Sequence, residues 1–313
     1  MTQCLDCFAA RSSRAASATF MASSSVYPCC PWIVELSKLF VQLAYTDPKM
    51  ALRADSQLKQ IGELYLPDGA GPHPVIPLIH GGYWRARYDL TLMNGLAQDL
   101  ARRGYAAWNI EYRRVGDKGG AWPGTFLDVA RAVDYLRELA PRYQLDLQRV
   151  VPTGHSAGGH LAFWLAARPR IPTDSPLAGS SVAASEGEQA TPLPLAGAIS
   201  LAGVLDLEMA WRLHLSNNAV VELLGAKFPK APERYAAASP AAMLPLGVPQ
   251  VLVHGTADSD VPIEISRTYA ARARALGDPV TYLELEGIDH FDVIDPRSTA
   301  WEKTVEALQK LLQ

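Results

Sequence analysis

Apolar runs of strand length alternate with longer stretches of helical period along the chain from Gly62 onward. Residues 62–66, 75–79, 105–112, 150–153, 195–201, 250–253 and 280–285 have the length and residue types of strands. Between them, apolar positions recur at helical spacing over 92–103 (closed by Gly104), 126–140 (stopping before Pro141), 159–168, 264–276 (closed by Gly277) and 299–312. This alternation predicts an α/β fold: a mostly parallel central sheet with helices on both faces. Pro77 and Pro152 fall inside two of the predicted strands, where a missing N–H removes a ladder bond.

Three stretches depart from the alternation. Trp32, Ile33, Leu36, Phe40 and Leu43 fall at helical spacing, which predicts an amphipathic helix leading into a single domain over 31–313. Residues 169–194 are rich in Pro, Ser, Ala and Gly and read as a flexible surface insertion. Residues 203–244, with Trp211, Leu213, Val220, Leu223 and Leu224, read as short helices between strands, the place for a small helical lid.

Composition narrows the function classes. With 313 residues, 49% apolar and 19% charged, the chain is that of an ordinary globular protein with a full core. A net charge of −3 and no dense Lys/Arg run speak against nucleic acid as a partner. No uninterrupted apolar run reaches the ~18 residues of a membrane span. Cys4, Cys7, Cys29 and Cys30 are all the cysteines. The Cys4–Cys7 pair has no second pair or spaced histidines to complete a metal site, so no metal is expected. Residues 1–30 are Ser- and Ala-rich, set Arg11 and Arg14 against one acid, and show no apolar period: a disordered tail by composition. The tail reads as transit-like, or as an over-extended start ahead of Met21 or Met50, and the expected location is the cytoplasm.

Chemistry enters with Gly154-His155-Ser156-Ala157-Gly158, set between a predicted strand and a predicted helix. Such a turn presents a serine nucleophile, and the amide of Ala157 at the helix start faces developing negative charge. Serine needs a base, and of the seven histidines His290 stands in a loop after the 280–285 strand, where a base is presented. His80, His155, His160 and His254 read as makers of local hydrogen bonds. Asp258 and Asp260 compete for the orienting acid, and Asp258 is the choice. Upstream, His80-Gly81-Gly82-Tyr83-Trp84 breaks an apolar strand with two glycines that let backbone amides approach a ligand.

These motifs together resemble the α/β-hydrolase superfamily over about residues 60–313. More narrowly, the HGGYW stretch is similar to the H-G-G-x-W element of kynurenine formamidase-like esterases and to the H-G-G-G element of hormone-sensitive-lipase-type esterases. The resemblance implies nucleophile Ser156, acid Asp258 and base His290, with oxyanion amides from Gly82, Tyr83 and Ala157 and with Gly81 shaping the loop. Gly81, Trp84, Arg85 and Trp122 are candidate substrate contacts; for the aromatics Tyr83, Trp84 and Trp122, burial in the core is the alternative. The expected activity is hydrolysis of small or medium carboxylic esters through an acyl-enzyme, without a cofactor. The alternative is an arylformamidase, for which Arg85, Arg87 or Arg113 would meet an anionic tail. A third reading, of another class, is a non-catalytic ligand receptor on the same fold. The expected partner is a small ester or amide, and the oligomeric state is left open.

Overall fold

The computed structural model describes residues 40–44, 60–178 and 191–313. Among them, nine strands form one sheet: β1 (Phe40–Ala44), β2 (Ile61–Tyr65), β3 (His73–Ile79), β4 (Ala106–Ile110), β5 (Leu145–Val150), β6 (Thr153–His155), β7 (Ala198–Leu201), β8 (Gln250–Gly255) and β9 (Val280–Leu285). The order is β1-β2-β4-β3-β6-β7-β8-β9, with β5 paired to β3. β1 and β2 run antiparallel to their neighbours and the remaining pairs are parallel. Consequently β3, β6, β7, β8 and β9 end at one edge of the sheet, the edge where α/β proteins place ligands.

The helices are α1 (Asn94–Arg102), α2 (Gly124–Asp134), α3 (Leu136–Tyr143), α4 (Ala157–Ala167), α5 (Leu207–Arg212), α6 (Leu215–Leu224), α7 (Pro232–Ala238), α8 (Glu264–Ala275) and α9 (Thr299–Leu311). They bury two cores. Val129, Leu136, Leu161 and Tyr269 of α2, α3, α4 and α8 lie in one, and Leu96, Leu100, Trp301 and Val305 of α1 and α9 in the other. Every residue of α4 is buried, because this helix is apolar on all sides and is enclosed on all of them. At the other core, the Ser298 hydroxyl caps α9 by accepting the Trp301 amide (3.0 Å), and the Trp301 indole donates to Asp99 on α1 (2.7 Å).

Several elements depart from the sequence expectations. Phe40 and Leu43, read as part of a helix, lie on an antiparallel edge strand whose register runs from Phe40↔Tyr65 to Ala44↔Ile61, so sheet pairing overrides the helical spacing. Residues 32–39 and the tail 1–30, with its four cysteines, lie outside the described residues. The expected 150–153 strand is divided at Val151-Pro152 into β5 and β6. β3 pairs with β5 up to Val75 and with β6 from Leu78, so Pro77 sits opposite that break, where its missing N–H is tolerated. The expected 126–140 helix is two helices, and the second continues through Pro141 to Gln144, a left-handed cap (φ 52°) whose N–H meets the Ala140 carbonyl. The expected insertion at 169–194 is anchored at both ends: Ile171, Leu177 and Leu193 are buried in the first core. Residues 179–190 lie outside the described residues.

Candidate active site

Ser156 follows β6 directly and has φ 55° and ψ −118°, a conformation that a residue with a side chain adopts only under constraint. The constraint comes from its neighbours. A Cβ on Gly154 would lie 2.0 Å from the Gly158 carbonyl oxygen, and one on Gly158 would lie 2.0 Å from the Ile79 oxygen. Only glycine lets strand and helix pass that closely, which is the physical content of the Gly-x-Ser-x-Gly pattern. The Ser156 amide donates to the Leu201 carbonyl (2.8 Å), which fixes the turn to β7. Ala157 opens α4, where amides have no intrahelical acceptor.

The Gly81–Trp84 loop lies against this turn. A Cβ on Gly81 would meet His155 Nδ1 at 2.9 Å and Ser156 Cβ at 3.0 Å. Gly82, Tyr83 and Trp84 then take φ values of 113°, 50° and 60°, and the Arg85 amide closes the turn onto the Gly82 carbonyl (3.0 Å). Two pairs of side chains hold the loop. His80 stacks on Tyr112 with ring centroids 4.3 Å apart, and the Tyr112 hydroxyl donates to the His80 carbonyl (3.0 Å). The Trp84 indole donates to His160 Nδ1 on α4 (3.1 Å), so His160 Nε2–H donates to the Ala238 carbonyl (2.9 Å). Burial pushes the His160 imidazole down to about 4, so the ring is neutral at pH 7.

Asp258 and His290 come from the loops after β8 and β9. Asp258 is ionised: burial alone would raise its proton affinity, but hydrogen bonds from His254 and His290 and from backbone amides outweigh it and hold the carboxyl below its usual range. His290 Nδ1 therefore donates to Asp258 Oδ2 (2.7 Å), and in the neutral ring Nε2 is the bare nitrogen. Asp260 takes no part in this hydrogen bond. Its amide donates to Asp258 Oδ1 (2.8 Å), its carbonyl accepts the Tyr83 hydroxyl, and its own carboxylate is exposed.

A cavity of about 170 Å³ brings Ser156 and His290 together with Gly82, Tyr83, Arg85, Arg87, Tyr88, His155, Ser216, Asp260 and Phe291. Among the described residues no hydrogen bond joins Ser156 to His290; they share the cavity, with a geometry looser than a closed pair. Of the candidate substrate contacts only Arg85 lines it. Trp84 is buried with its indole on His160, Trp122 packs its ring edge on Phe126 with centroids 5.8 Å apart, and Gly81 faces His155 and Ser156. Arg85 is itself occupied by both oxygens of Glu222 and by Ser216, and Arg113 by Asp128, away from the cavity.

The sequence reading missed four residues of this site. His155 donates through Nε2 to the His290 carbonyl (2.8 Å), and burial pushes its imidazole down to about 3, helped by the nearby His290. Tyr88 and Phe291 meet edge to face at 6.2 Å, and Ser216 comes from a left-handed turn at the start of α6. Only the position of His155 inside the serine motif could have flagged one of them.

Sheet order, and the placement of all these loops at one carboxyl edge, make this an α/β-hydrolase fold. Residues 63–272 match the BD-FAE family, and the chain belongs to it, a hormone-sensitive-lipase-like esterase family of that fold. Ser156 and Asp258 fall inside the matched stretch and His290 beyond it. The chain is 28% identical over 233 residues to a probable carboxylic ester hydrolase, LipM, of Mycobacterium tuberculosis, covering 72% of this chain and 51% of that protein. It is also 28% identical over 243 residues to Esterase LipC of the same organism, covering 73% and 55%. It thus spans about half the length of the curated relatives it matches. A thermophilic esterase from the Planctomycetes species Thermogutta terrifontis superposes with a TM-score of 0.65 at 24% identity, over 87% of this chain and 90% of that one. A truncated carbohydrate esterase from gut microbiota gives 0.68 at 21%, over 86% and 94%. These two likenesses concern the fold. Among the described residues no helix is long and apolar enough to cross a membrane.

Proposed function

We propose that this chain is a serine carboxylesterase acting on small-molecule esters, with Ser156 as nucleophile, His290 as general base and Asp258 as orienting acid. One observation carries the reading: His290 is held through Nδ1 by a buried, ionised carboxylate at 2.7 Å, which leaves Nε2 bare at the cavity that Ser156 lines. Ser156 attacks the ester carbonyl carbon as His290 Nε2 accepts the hydroxyl proton. The amides of Gly82, Tyr83 and Ala157 receive the oxyanion. His290 then protonates the departing alkoxide, and water repeats the sequence on the acyl-enzyme to release the acid. The cavity, at about 170 Å³, favours short acyl groups. The names of LipM and LipC, carboxylic ester hydrolase and esterase, agree with this chemistry.

Residues 203–244 serve in this reading as a cap, since Ser216 lines the cavity and Glu222 holds Arg85 at its wall. The lack of cysteine after Cys30 fits a reducing cytoplasm. The test is a fluorophosphonate probe followed by a panel of p-nitrophenyl esters. Labelling of Ser156 and fastest turnover of short acyl chains are expected. An unlabelled Ser156 in folded protein removes the esterase and leaves the receptor.

One observation favours a second reading, the arylformamidase. Arg87 lines the cavity, is exposed, and stands over the Tyr88 ring (5.3 Å) with no ion pair among the described residues, so it is open to an anionic substrate tail. N-formylkynurenine cleaved faster than p-nitrophenyl acetate would move the assignment there.

A further inference from the structure

His254 is the penultimate residue of β8, stands four residues before Asp258 and is fully buried. Its Nε2 lies 3.0 Å from the Val261 carbonyl oxygen and 3.1 Å from Asp258 Oδ2, with the carbonyl the better aligned of the two. Both neighbours can only accept, so Nε2 carries a proton and is shared between them. The other nitrogen, Nδ1, is 2.7 Å from the Ser266 hydroxyl on α8, which holds the ring in place from its far side. The Asp258 oxygen beside His254 is the same one that takes the His290 proton, while Oδ1 takes the amides of Asp260 and Val261 at 2.8 Å each. Four N–H groups thus surround a carboxylate that has no solvent exposure.

The geometry points to His254, backed by Ser266, as a positioning residue that divides the Asp258 carboxylate with His290 and thereby sets how basic His290 is. The inference rests on the esterase reading. A carboxylate oxygen that satisfies two imidazole N–H groups draws less on each than it would on one. Without the His254 proton, Oδ2 turns wholly to His290, the imidazolium form of His290 is stabilised, and its pKa rises. The Val261 carbonyl also loses its partner, so the loop that carries the acid loosens and turnover falls.

Three of the groups around this pair hold one charge state through the neutral range. His155, against the His290 ring at 4.6 Å, is pushed down to about 3 by burial. Tyr83 at the rim is raised to about 12, chiefly by burial and then by the Asp260 and Asp258 charges. Glu284, beside His254 in the register of β9, is lowered to about 2 by its hydrogen bond from Arg267. Asp260 faces the rim with its carboxylate exposed.

The experiment is the pH profile of kcat/KM for p-nitrophenyl acetate in the wild type, His254→Leu, His254→Gln and Ser266→Ala, with the His290 C2–H titration followed by NMR in the same proteins. Leucine removes the donor, whereas the glutamine amide restores an N–H near the place of Nε2. His254→Leu should raise the acid-limb midpoint by about one pH unit and lower kcat several-fold. His254→Gln should return the midpoint close to wild type, and Ser266→Ala should shift it upward by less than leucine does. An unmoved or lowered midpoint in His254→Leu, by kinetics and NMR alike, overturns the proposal and leaves His254 a packing residue. If the leucine variant does not fold, an unmoved midpoint in Ser266→Ala overturns it instead. The expected shifts by NMR in a protein that hydrolyses no ester defeat the esterase reading alone.

Discussion

The two halves of the site hold their residues by different means. In the half built on β3 and β6, the backbone is under constraint: Gly82, Tyr83, Trp84 and Ser156 all have positive φ, and glycines at 81, 154 and 158 permit contacts that a Cβ would forbid. Each non-glycine residue in such a conformation costs about 1–3 kcal/mol, which the surrounding packing must offset. In the half built on β8 and β9, Gly255 also lets the backbone pass close to Ile288, but neither Asp258 nor His290 has a positive φ, and side-chain hydrogen bonds orient the two residues. The first half should therefore fail when atoms are added near the backbone. The second should fail when a donor or acceptor is exchanged.

The largest effect belongs to the serine of the first half. Ser156→Ala should abolish fluorophosphonate labelling and lower kcat by about a millionfold, since in the proposed mechanism the three residues act as a unit. The test of the second half is a pair of isosteric changes. Asp258→Asn should lower kcat about ten-thousandfold by disturbing the His290 tautomer, while Asp260→Asn should change it by only a few-fold because its carboxylate is not on His290. Equal losses in kcat/KM for p-nitrophenyl acetate would show that the hydrogen-bond arrangement is not what sets this half. For the first half, Gly81→Ala places a methyl 2.9 Å from His155 Nδ1 and 3.0 Å from Ser156 Cβ. A displacement of the serine by even part of an ångström should lower kcat about a hundredfold with little change in melting temperature. A glycine-like rate would remove the argument from close approach.

That contrast also explains what could be read from the chain. The constrained half is written in contiguous residues, because Gly-x-Ser-x-Gly and His-Gly-Gly each need small residues at fixed spacing. The alternating runs likewise announce β8, β9 and the helices that cover the sheet. The second half is discontinuous: Asp258 and Asp260 stand two residues apart in one loop, and only the hydrogen bond to His290 separates them. His254 reads only as a maker of local hydrogen bonds, and Ser216 reaches the cavity from a left-handed turn with no local pattern. Edges were least legible. Phe40 and Leu43 keep a helical spacing yet pair with β2, and the break at Pro152 lies opposite Pro77, a placement set by strands far apart in sequence.

A smaller effect concerns acid stability. His160 sits between Trp84 and Ala238, tying the constrained loop to α4, and its pKa is lowered by burial from 6.5 to about 4. In the unfolded chain the imidazole takes up a proton as pH falls through 6.5, while in the folded state it stays neutral until about 4. The stability associated with the neutral ring is full above 6.5, declines between 6.5 and about 4, and changes no further below that. His160→Gln, which can still accept from Trp84 but does not titrate, should flatten the urea-unfolding free energy across that interval by an amount on the order of 1–3 kcal/mol. His155 adds a decline of the same sign, so the wild-type curve should remain the steeper one. Parallel curves for the two proteins would show that the buried ring carries no such linkage.

The smallest effect lies where the two halves touch at the rim. The Tyr83 hydroxyl, raised to about 12 chiefly by burial, stays protonated through the neutral range and donates to the Asp260 carbonyl, so it joins the constrained loop to the acid loop. Removing the oxygen in Tyr83→Phe leaves the ring, the positive φ and the loop amide in place. The Asp260 carbonyl is exposed enough for water to replace the phenol, so the loss should be about 0.5–1 kcal/mol of stability and no more than a few-fold in kcat/KM. If the halves are independently held, that loss should appear in KM, through a looser rim, with kcat unchanged. A fall in kcat comparable to that of Gly81→Ala would mean that the phenol transmits position from one half to the other, and that the constrained loop depends on the acid loop for its geometry.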